Sequence, residues 1–184
     1  MARRWAFTAT DLETSMNDHP ASDALIDLTG SVPLSDALLA LNNAHAMELS
    51  WLEPDRLAHL VAEAFLAKRI GEADALLLAF DQDADYDSPN FLWFRARYPR
   101  FVYVDRIVVA AHARGRGHAR RLYLDLFEQA LRAGHARVVC EVNAIPPNPA
   151  SDAFHAELGF VEVGTGEIHG GSKTVTYLAR PLTA

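Results

Sequence analysis

The sequence predicts a single mixed α/β domain of the α+β type, with a mostly antiparallel sheet, one central parallel pair of strands and about four helices. The chain has 184 residues, which is typical of one domain. Its hydrophobic content of 50% and charged content of 22% are those of an ordinary globular protein. A strand–helix–strand unit over residues 101–142 requires a parallel pair, whereas the other strands follow each other closely enough to pair antiparallel.

The N-terminal end is predicted to be an arm that precedes the domain. Residues 1–21 are polar and irregular apart from a small RRWAF cluster. We therefore expect an arm over residues 1–21 and the domain over residues 22–184. The first element of the domain is ALIDLTG, a short strand that a glycine ends.

Two helices and a pair of strands follow. Ser35 can cap a helix whose apolar residues recur at spacings of three and four as far as Leu49. Pro54 stands where a second helix can begin, because proline is tolerated in the first turn of a helix. FLAKRIG and ALLLAFDQ, separated by GEAD, predict two antiparallel strands.

The second half of the chain alternates strands and helices. Residues 83–100 predict a long polar and aromatic loop, after which FVYVDRIVVA predicts a strong strand. A helix is expected from about Gly117 to Arg132, closed by Gly134, and ARVVCEVNA predicts the next strand. A turn bounded by prolines leads into a short helix that stops at Gly159. FVEVGTGEI and KTVTYLARPL then predict a final pair of strands.

The loop RGRGHA, residues 114–119, predicts an anion site. Its glycines let backbone N–H groups face outward, and the start of the following helix adds a partial positive charge. A pyrophosphate is the natural ligand of such a site, and Arg114, Arg116 and either Arg120 or Arg121 can add charge to it. The alternative is a plain strand-to-helix turn with solvated arginines.

This loop resembles the acetyl-CoA-binding signature of the GNAT superfamily of N-acetyltransferases, R/Q-x-x-G-x-G/A, at Arg114, Gly117 and Ala119. It is not a P-loop, since no Gly-Lys-Ser/Thr follows, and Arg120 occupies the third glycine position of the dinucleotide fingerprint. The order of predicted elements over about residues 24–182 is similar to the order in that family.

A second stretch also resembles the family, with two departures. The family pattern N-x-x-A-x-x-x-Y before Gly-Phe corresponds to Asn148, Ser151 and His155, followed by Gly159 and Phe160. The spacing is kept, but Ser151 replaces the alanine and His155 replaces the tyrosine.

The resemblance implies that acetyl-CoA is the co-substrate, that no metal takes part, and that an amine attacks the thioester directly. Two strands that splay apart leave unpaired backbone groups to hold the pantetheine and the thioester. The backbone of Ile107 and Val109 is implied in this role, with the Val109 N–H as oxyanion donor. The residues implied to hold the cofactor are Ile107, Val108, Val109, Arg114, Gly115, Arg116, Gly117, His118, Ala119, Arg120, Asn148 and Ser151.

Two carboxylates are candidates for the general base, which must deprotonate the amine. Asp105 interrupts an apolar strand where many members of the family place a glutamate, but it can also be a carboxylate paired with Arg106. Glu141 lies in the apolar run VVCEVNA, where burial tends to raise its pKa to a useful value.

His155 is the candidate for the proton donor to the CoA thiolate, by its match to the tyrosine position. A histidine of ordinary pKa can protonate a thiolate at neutral pH. Two alternatives stay open: His155 only hydrogen-bonds the sulfur, or it packs beside Phe154 as a helix-face histidine.

The acceptor is expected against residues 35–51, 83–97 and 168–174, by resemblance to the family. In the long loop, carboxylates beside aromatic rings can hold a cationic amine. The residues predicted to do so are Tyr86, Asp87, Asn90 and Trp93. The alternative is an ordinary acidic surface loop, and the sequence does not identify the acceptor.

Composition disfavours several other classes of protein. A net charge of −7 and a pI near 5.5 argue against nucleic-acid binding. No apolar run is long enough to span a bilayer, no signal peptide is expected, and a single cysteine, Cys140, fits the cytoplasm. No H-E-x-x-H or C-x-x-C spacing predicts a metal site, and no G-x-S-x-G predicts a hydrolase.

The predicted function is the transfer of an acetyl group from acetyl-CoA to an amine of a small molecule or peptide. The alternative is a non-catalytic acetyl-CoA sensor or interaction module of the same fold, which the histidine at position 155 keeps open. The arm can pack on its own domain or on a second copy, so a homodimer is compatible with the sequence.

Overall fold

The computed structural model describes residues 24–30 and 34–183, so the predicted arm of residues 1–21 lies outside the described residues. Its strands are β1 (Leu25–Asp27), β2 (Leu66–Ile70), β3 (Ala75–Asp81), β4 (Val102–Val109), β5 (Arg137–Ile145), β6 (Val161–Ile168) and β7 (Lys173–Pro181). Its α-helices are α1 (Asp36–Asn43), α2 (Ala46–Leu49), α3 (Pro54–Glu63), α4 (Pro89–Arg95), α5 (His118–Arg132) and α6 (Pro149–Glu157).

The strands form one sheet in the order β1-β2-β3-β4-β5-β7-β6. The pair β4–β5 is parallel, and the other neighbouring strands are antiparallel. The mixed sheet with a central parallel pair is therefore confirmed. The connection between the parallel strands is α5, as a crossover between parallel strands requires.

The parallel strands separate soon after they meet. Their register covers Val102 with Val138 and Tyr103 with Val139, although β4 continues to Val109 and β5 to Ile145. Beyond this register, the facing edges of the two strands do not pair with each other. The splayed strands expected from the sequence are therefore present, and a cleft opens between them.

A β-bulge in β4 lies at the start of this opening. Leu78 of β3 pairs with Arg106 and Ala79 pairs with Val104, so Asp105 has no opposite residue. A bulge re-aims the side chains around it, because two residues of one strand oppose one residue of its neighbour. The side chains of Asp105 and Arg106 consequently meet, with Arg106 Nε 2.8 Å from Asp105 Oδ2.

The sheet carries a hydrophobic core on each face. The alternate residues Leu76, Leu78 and Phe80 of β3 belong to the core under α1, α3 and α4, whereas Leu77 and Ala79 belong to the core under α5. Burial on both faces explains why β3 reads as a continuous apolar run. In β5 the same alternation puts Val139 in the first core and Cys140 in the second.

Two short helices, α1 and α2, replace the one helix that the sequence predicts as far as Leu49. The helix expected to reach Leu49 ends at Asn43, because the Asn43 side chain bonds the backbone N–H and C=O of Leu52, both at 2.9 Å. The segment Ala46–Leu49 is a separate turn of helix, α2. Ser35 precedes α1 but forms no side-chain cap hydrogen bond.

The loop expected over residues 83–100 contains α4. Pro89 occupies its first turn, and Phe91 and Phe94 are fully buried on the sheet. Tertiary burial of these rings stabilises a helix that is too short to form by propensity alone. With α2 and α4, the described part of the chain has six α-helices, two more than the approximate four expected.

Candidate active site

The cleft between β4 and β5 brings together residues that are far apart in the sequence. Its lining is Glu48, Leu49, Val104, Asp105, Ile107, Tyr123, Cys140, Glu141, Val142, Asn143, Asn148, Ser151 and His155. Six of these were predicted as site residues: Asp105, Ile107, Glu141, Asn148, Ser151 and His155. Glu48 and Tyr123 were not, since nothing in their local sequence distinguishes them from ordinary helix residues.

The two carboxylate oxygens of Glu141 differ, because one accepts hydrogen bonds and the other accepts none from the described residues. Its Oε1 accepts hydrogen bonds from Asn90 Nδ2 at 2.8 Å and from the Tyr103 hydroxyl at 3.1 Å. Its Oε2 is buried and accepts no hydrogen bond from the described residues. Burial, and then the nearby charge of Asp105, raise the pKa of Glu141 to about 7. This carboxyl group can therefore exchange a proton near neutral pH.

Asp105 has a hydrogen bond on one carboxylate oxygen and an ion pair, without hydrogen-bond geometry, on the other. Its Oδ1 accepts a hydrogen bond from the Tyr86 hydroxyl at 2.6 Å, and its Oδ2 lies 2.8 Å from Arg106 Nε. The side chain is 7% exposed. Desolvation and this negative charge raise the pKa of Tyr86, so its hydroxyl stays protonated and continues to donate. Both oxygens of Asp105 are thus occupied within the protein.

Arg106 connects Asp105 to helices α1 and α2. Its Nη1 donates to Asn42 Oδ1 at 2.7 Å and to the Leu49 carbonyl at 2.9 Å. Arg106 is 3% exposed, so its charge depends on Asp105 and these acceptors for compensation. The ion pair therefore joins the bulge of β4 to the helices that border the cleft.

His155 is buried, and both of its ring nitrogens face fixed partners. Nδ1 lies 2.8 Å from the Ser151 carbonyl oxygen, and Nε2 lies 2.8 Å from the Tyr123 hydroxyl. Because a carbonyl oxygen only accepts, Nδ1 carries the hydrogen, and Nε2 accepts from Tyr123. Burial lowers the pKa of His155 below its usual value, so the ring is neutral at pH 7. In this state His155 has no second hydrogen to donate into the cleft.

A second depression lies at the start of α5, against α6. Its lining is Val109, Ala113, Arg114, Gly115, Gly117, His118, Ala119, Arg120, Phe154 and Glu157. Gly115 and Gly117 have left-handed backbone angles, with φ of 76° and 78°. Gly117 is the N-cap of the fifteen-residue α5, whose first N–H groups have no partner within the helix. Guanidinium groups and backbone N–H groups together suit a diphosphate.

The remaining predicted cofactor residues lie near this depression but not in its lining. Arg116 Nη1 is 4.0 Å from Asp74 Oδ2, on the turn between β2 and β3. His112, on the same loop, lies 2.8 Å from Asp74 Oδ1, so Asp74 supports the loop from outside. Val108 is buried in the core beneath α1, α3 and α4, and its role is limited to its backbone.

The four residues predicted to contact the acceptor do not line the cleft. Tyr86 donates to Asp105, and Asn90 bridges Glu141 and Tyr177. Trp93 stacks on Tyr177 at a ring distance of 4.0 Å, and Asp87 is an exposed residue 3.6 Å from Arg56. Tyr86 and Asn90 thus belong to the site as partners of its carboxylates.

Comparison with known proteins assigns the family. Residues 44–160 match the model of the acetyltransferase (GNAT) family, which is more than half of the chain. The chain belongs to this family of acetyltransferases. This confirms the predicted family and the expected class, an acetyl-CoA-dependent N-acetyltransferase. No curated protein sequence matches the chain significantly.

Solved structures agree on the fold. The ribosomal-protein-S18-alanine N-acetyltransferase from Escherichia coli is 16% identical and covers 88% of this chain and 94% of its own, with a TM-score of 0.59. Chaetomium thermophilum Naa20, in complex with a bisubstrate analogue, is 18% identical over 86% of each chain, with a TM-score of 0.66. An aminoglycoside 6'-N-acetyltransferase complexed with coenzyme A is 12% identical over 88% and 98%, with a TM-score of 0.64.

The described residues offer neither a metal site nor a membrane-spanning helix. Across residues 24–30 and 34–183, no group of three or more His, Cys, Asp or Glu side chains could hold a metal ion. No helix within the same ranges is long and apolar enough to cross a membrane.

Proposed function

We propose that this chain acetylates a primary amine with Glu141 as the general base, acting through Oε2. The observation that carries the proposal is the buried, unbonded Oε2 of a carboxyl group whose pKa is about 7. An ammonium group near this oxygen can give up a proton at neutral pH, and the resulting amine is then a nucleophile. Proton transfer to a base with a pKa near the working pH is the most efficient arrangement.

Asp105 is assigned to the support of this base. Its two oxygens are held by Tyr86 and Arg106, so a proton acceptor there would have to break an existing interaction. Its negative charge contributes to the raised pKa of Glu141. The sequence leaves both carboxylates as candidates for the base. We therefore assign Glu141 as the base, and Asp105 raises its pKa.

We assign acetyl-CoA to the cleft and the depression together. Arg114, Arg120 and the N–H groups at the start of α5 suit its pyrophosphate, since both are donors to an anion. The backbone of Ile107 and Val109 borders the opening between β4 and β5, where the pantetheine and thioester are expected. Asn148 and Ser151, at the start of α6, line the same cleft.

The reaction balances without an acyl-enzyme. The amine proton passes to Glu141 Oε2, the amine nitrogen bonds to the thioester carbon, and the carbon–sulfur bond breaks. A backbone N–H, expected at Val109, stabilises the developing oxyanion. The CoA thiolate leaves, the acylated nitrogen loses its second proton and the thiolate takes up one proton, while Glu141 returns the first proton to solvent. The products are an N-acetylated amine and free CoA.

His155 is assigned to holding Tyr123 and the first turn of α6, rather than to protonating the thiolate. It is neutral at pH 7 and bonded at both ring nitrogens. Of the alternatives that the sequence leaves open for His155, a packed histidine fits these contacts best.

The acceptor is proposed to be a cationic amine. The cleft lining carries Glu48, Asp105 and Glu141 but no lysine or arginine, so its charge attracts an ammonium group. Both a small-molecule amine and a peptide amine satisfy this requirement. A cytoplasmic location is proposed from the single buried cysteine, Cys140, which suits a reducing compartment.

The proposal is tested by turnover of the full chain. Release of free CoA is measured with acetyl-CoA and a panel of amines, including monoamines, diamines and peptide N-termini. Glu141→Gln is expected to lower kcat/KM by about 100-fold or more, as the loss of a general base does. Asp105→Asn is expected to lower it less, and Glu162→Gln, on the exposed strand β6, is the matched carboxylate control.

Binding is measured separately by thermal shift with acetyl-CoA, CoA, ATP and NAD at equal concentration. Stabilisation by both CoA species and not by NAD is expected, and it should persist in Glu141→Gln. No stabilisation by either CoA species would overturn the proposal. Stabilisation by acetyl-CoA without turnover of any amine would instead support the non-catalytic sensor.

A further inference from the structure

We propose that Asn90 is a positioning residue for the base: it holds Oε1 of Glu141, so that Oε2 is the oxygen left to exchange the proton. This inference rests on the proposed role of Glu141. Asn90 lies on α4, in the segment that the sequence predicts as an acceptor-binding loop, and it is 7% exposed. Its side chain does not line the cleft, so it acts through Glu141.

The hydrogen bonds around Asn90 are consistent with one orientation of its side-chain amide. An ionised carboxylate only accepts, so the amide presents its N–H to Glu141 Oε1, at 2.8 Å. Its carbonyl oxygen then faces Tyr177, whose hydroxyl donates to it at 3.1 Å. Glu141 thus sets the orientation of the amide, because the opposite orientation would place the amide oxygen against the carboxylate, and the bond donated by Tyr177 stabilises this orientation.

Two donors on Oε1 determine where a proton binds on Glu141. Asn90 and Tyr103 both donate to this oxygen, whereas Oε2 receives no bond from the described residues. A proton on Oε1 would face these donors, so the protonated form carries its hydrogen on Oε2. Asn90 therefore selects the reactive oxygen as well as fixing its position.

The packing around Tyr177 fixes this arrangement. Trp93 stacks on its ring, and Arg97 lies 3.7 Å from the centre of the Trp93 ring on α4. Strand β6 crosses close to both rings at two glycines. A Cβ on Gly166 would lie 2.5 Å from the Tyr177 hydroxyl, and a Cβ on Gly164 would lie 2.8 Å from Trp93 Cζ2. The hydroxyl therefore has little freedom to leave Asn90.

The charged and titratable groups that face Glu141 come from every element packed on it. They are Asp105 and Tyr103 of β4, Tyr86 of the preceding loop, Tyr123 of α5, Cys140 of β5 and Tyr177 of β7. Burial raises the pKa of the thiol and of the four hydroxyls, so these groups stay neutral near pH 7. Asp105 is the neighbour whose charge raises the pKa of Glu141, Glu48 of α2 and His155 of α6 line the same cleft, and variants of Asn90 leave all three unchanged. A change in Asn90 therefore reports on its own hydrogen bond to Glu141.

The first experiment measures kcat/KM against pH for Asn90→Ala and Asn90→Asp. Loss of a donor to the carboxylate favours its protonated form. The pKa that defines the rising limb of the profile of kcat/KM against pH should therefore increase by about one unit in Asn90→Ala. With the wild-type limb near pH 7, activity at that pH should fall about five-fold through the change in ionisation. Most of this loss should disappear by about pH 9. Asn90→Asp, which replaces the donor by an acceptor, should shift the limb further.

Gln82→Ala is the matched control. Gln82 is a partly buried amide whose Oε1 accepts from the Phe101 N–H at 3.3 Å, and it has no contact with Glu141. Loss of the Gln82 amide can lower the stability of the protein, but it should leave the pKa of the profile of kcat/KM against pH unchanged. Tyr177→Phe should give a smaller shift in the same direction as Asn90→Ala, because the amide then loses the hydrogen bond that helps to hold its N–H on Glu141.

The second experiment needs no turnover. The carboxyl carbons of glutamate are labelled with ¹³C, and Glu141 is assigned by its absence in Glu141→Gln. Its titration should move to higher pH in Asn90→Ala and not in Gln82→Ala. Unchanged titration in a folded Asn90→Ala protein would overturn the positioning role, even if the enzyme proves active. A shifted titration in a protein without turnover would instead retain the contact and reject the proposed base.

Discussion

At the scale of single residues, the site contrasts two carboxylates with different degrees of bonding. Asp105 has a hydrogen bond on one oxygen and the Arg106 guanidinium beside the other, whereas Oε2 of Glu141 has neither kind of partner among the described residues. The same burial that makes Glu141 a useful base makes its charged form costly in the folded state. Catalysis and stability are therefore opposed at this position, which is common for buried groups in active sites.

We expect Glu141→Gln to stabilise the protein at pH 8. The pKa of Glu141 is raised from 4.5 to about 7, so the native state binds its proton more tightly than the unfolded state. Its contribution to stability is therefore present below about pH 4.5 and is lost as the pH rises through 7. The loss amounts to roughly 3 kcal/mol at high pH, and the neutral amide avoids it.

Melting temperatures of the wild type and Glu141→Gln, measured from pH 4 to 9, check this expectation. The two curves should separate above about pH 5, with the variant higher. Parallel curves at all pH values would contradict the raised pKa. Glu162→Gln serves again as the exposed carboxylate control.

A second prediction concerns the pair of His155 and Tyr123. His155→Phe should lower stability by about 1–3 kcal/mol, because the fully buried Tyr123 hydroxyl loses its acceptor. The double variant with Tyr123→Phe should be more stable than His155→Phe alone, since the unpaired hydroxyl is then removed as well. Urea unfolding of the four proteins gives the coupling energy. A pH-dependent loss of kcat confined to His155→Phe would instead point to the proton-donor role.

At the scale of elements, β6 depends on glycine at position 166, which lies opposite Val175 and close to the Tyr177 hydroxyl. Gly166→Ala should lower stability by about 1–3 kcal/mol, because its Cβ would collide with the Tyr177 hydroxyl. It should also raise the pKa of the activity limb, since displaced Tyr177 no longer orients Asn90. Gly30→Ala is the matched control, because nothing lies within 4 Å of a Cβ at that position. Equal activity profiles for the two variants would contradict the link between β6 and the base.

At the scale of the whole molecule, the two parts of the site differ in their charged side chains. The depression at the start of α5 carries Arg114 and Arg120 with one carboxylate, Glu157, whereas the cleft lining carries Glu48, Asp105 and Glu141 and no arginine or lysine. In a chain of net charge −7, the arginines of this depression suit the anionic co-substrate that we propose for it. The separation allows an anion and a cation to bind next to each other without competing.

We therefore expect Arg114→Ala combined with Arg120→Ala to raise the KM for acetyl-CoA by about 10- to 100-fold, which corresponds to about 1.4–2.8 kcal/mol. At saturating acetyl-CoA, kcat and the KM for the amine should change little, because the cleft is intact. Arg132→Ala is the control: Arg132 is the last residue of α5, about 22 Å along the helix from its start. An equal rise in the amine KM would contradict the assignment of the depression to CoA.

Local patterns in the sequence determined most of the fold and half of the site. Alternation and apolar runs predicted every strand of the described sheet, and the RGRGHA loop before an amphipathic helix lines the depression at the start of α5, where CoA binding stays a prediction. These features are encoded within short segments, so neighbouring residues suffice to recognise them. The parallel pair followed from the same local reading, since a crossover helix leaves no other arrangement.

The difference between the two carboxylates on which the proposed base depends exists only in the folded chain. Asp105 and Glu141 look alike in the sequence, and they differ because a bulge joins Asp105 to Arg106 while α4 carries Asn90 to one oxygen of Glu141. The helix α4 itself depends on the burial of Phe91 and Phe94. Such contacts join residues up to 87 positions apart, as Tyr177 and Asn90 show, and the polarity of a hydrogen bond exists only once both partners are in place.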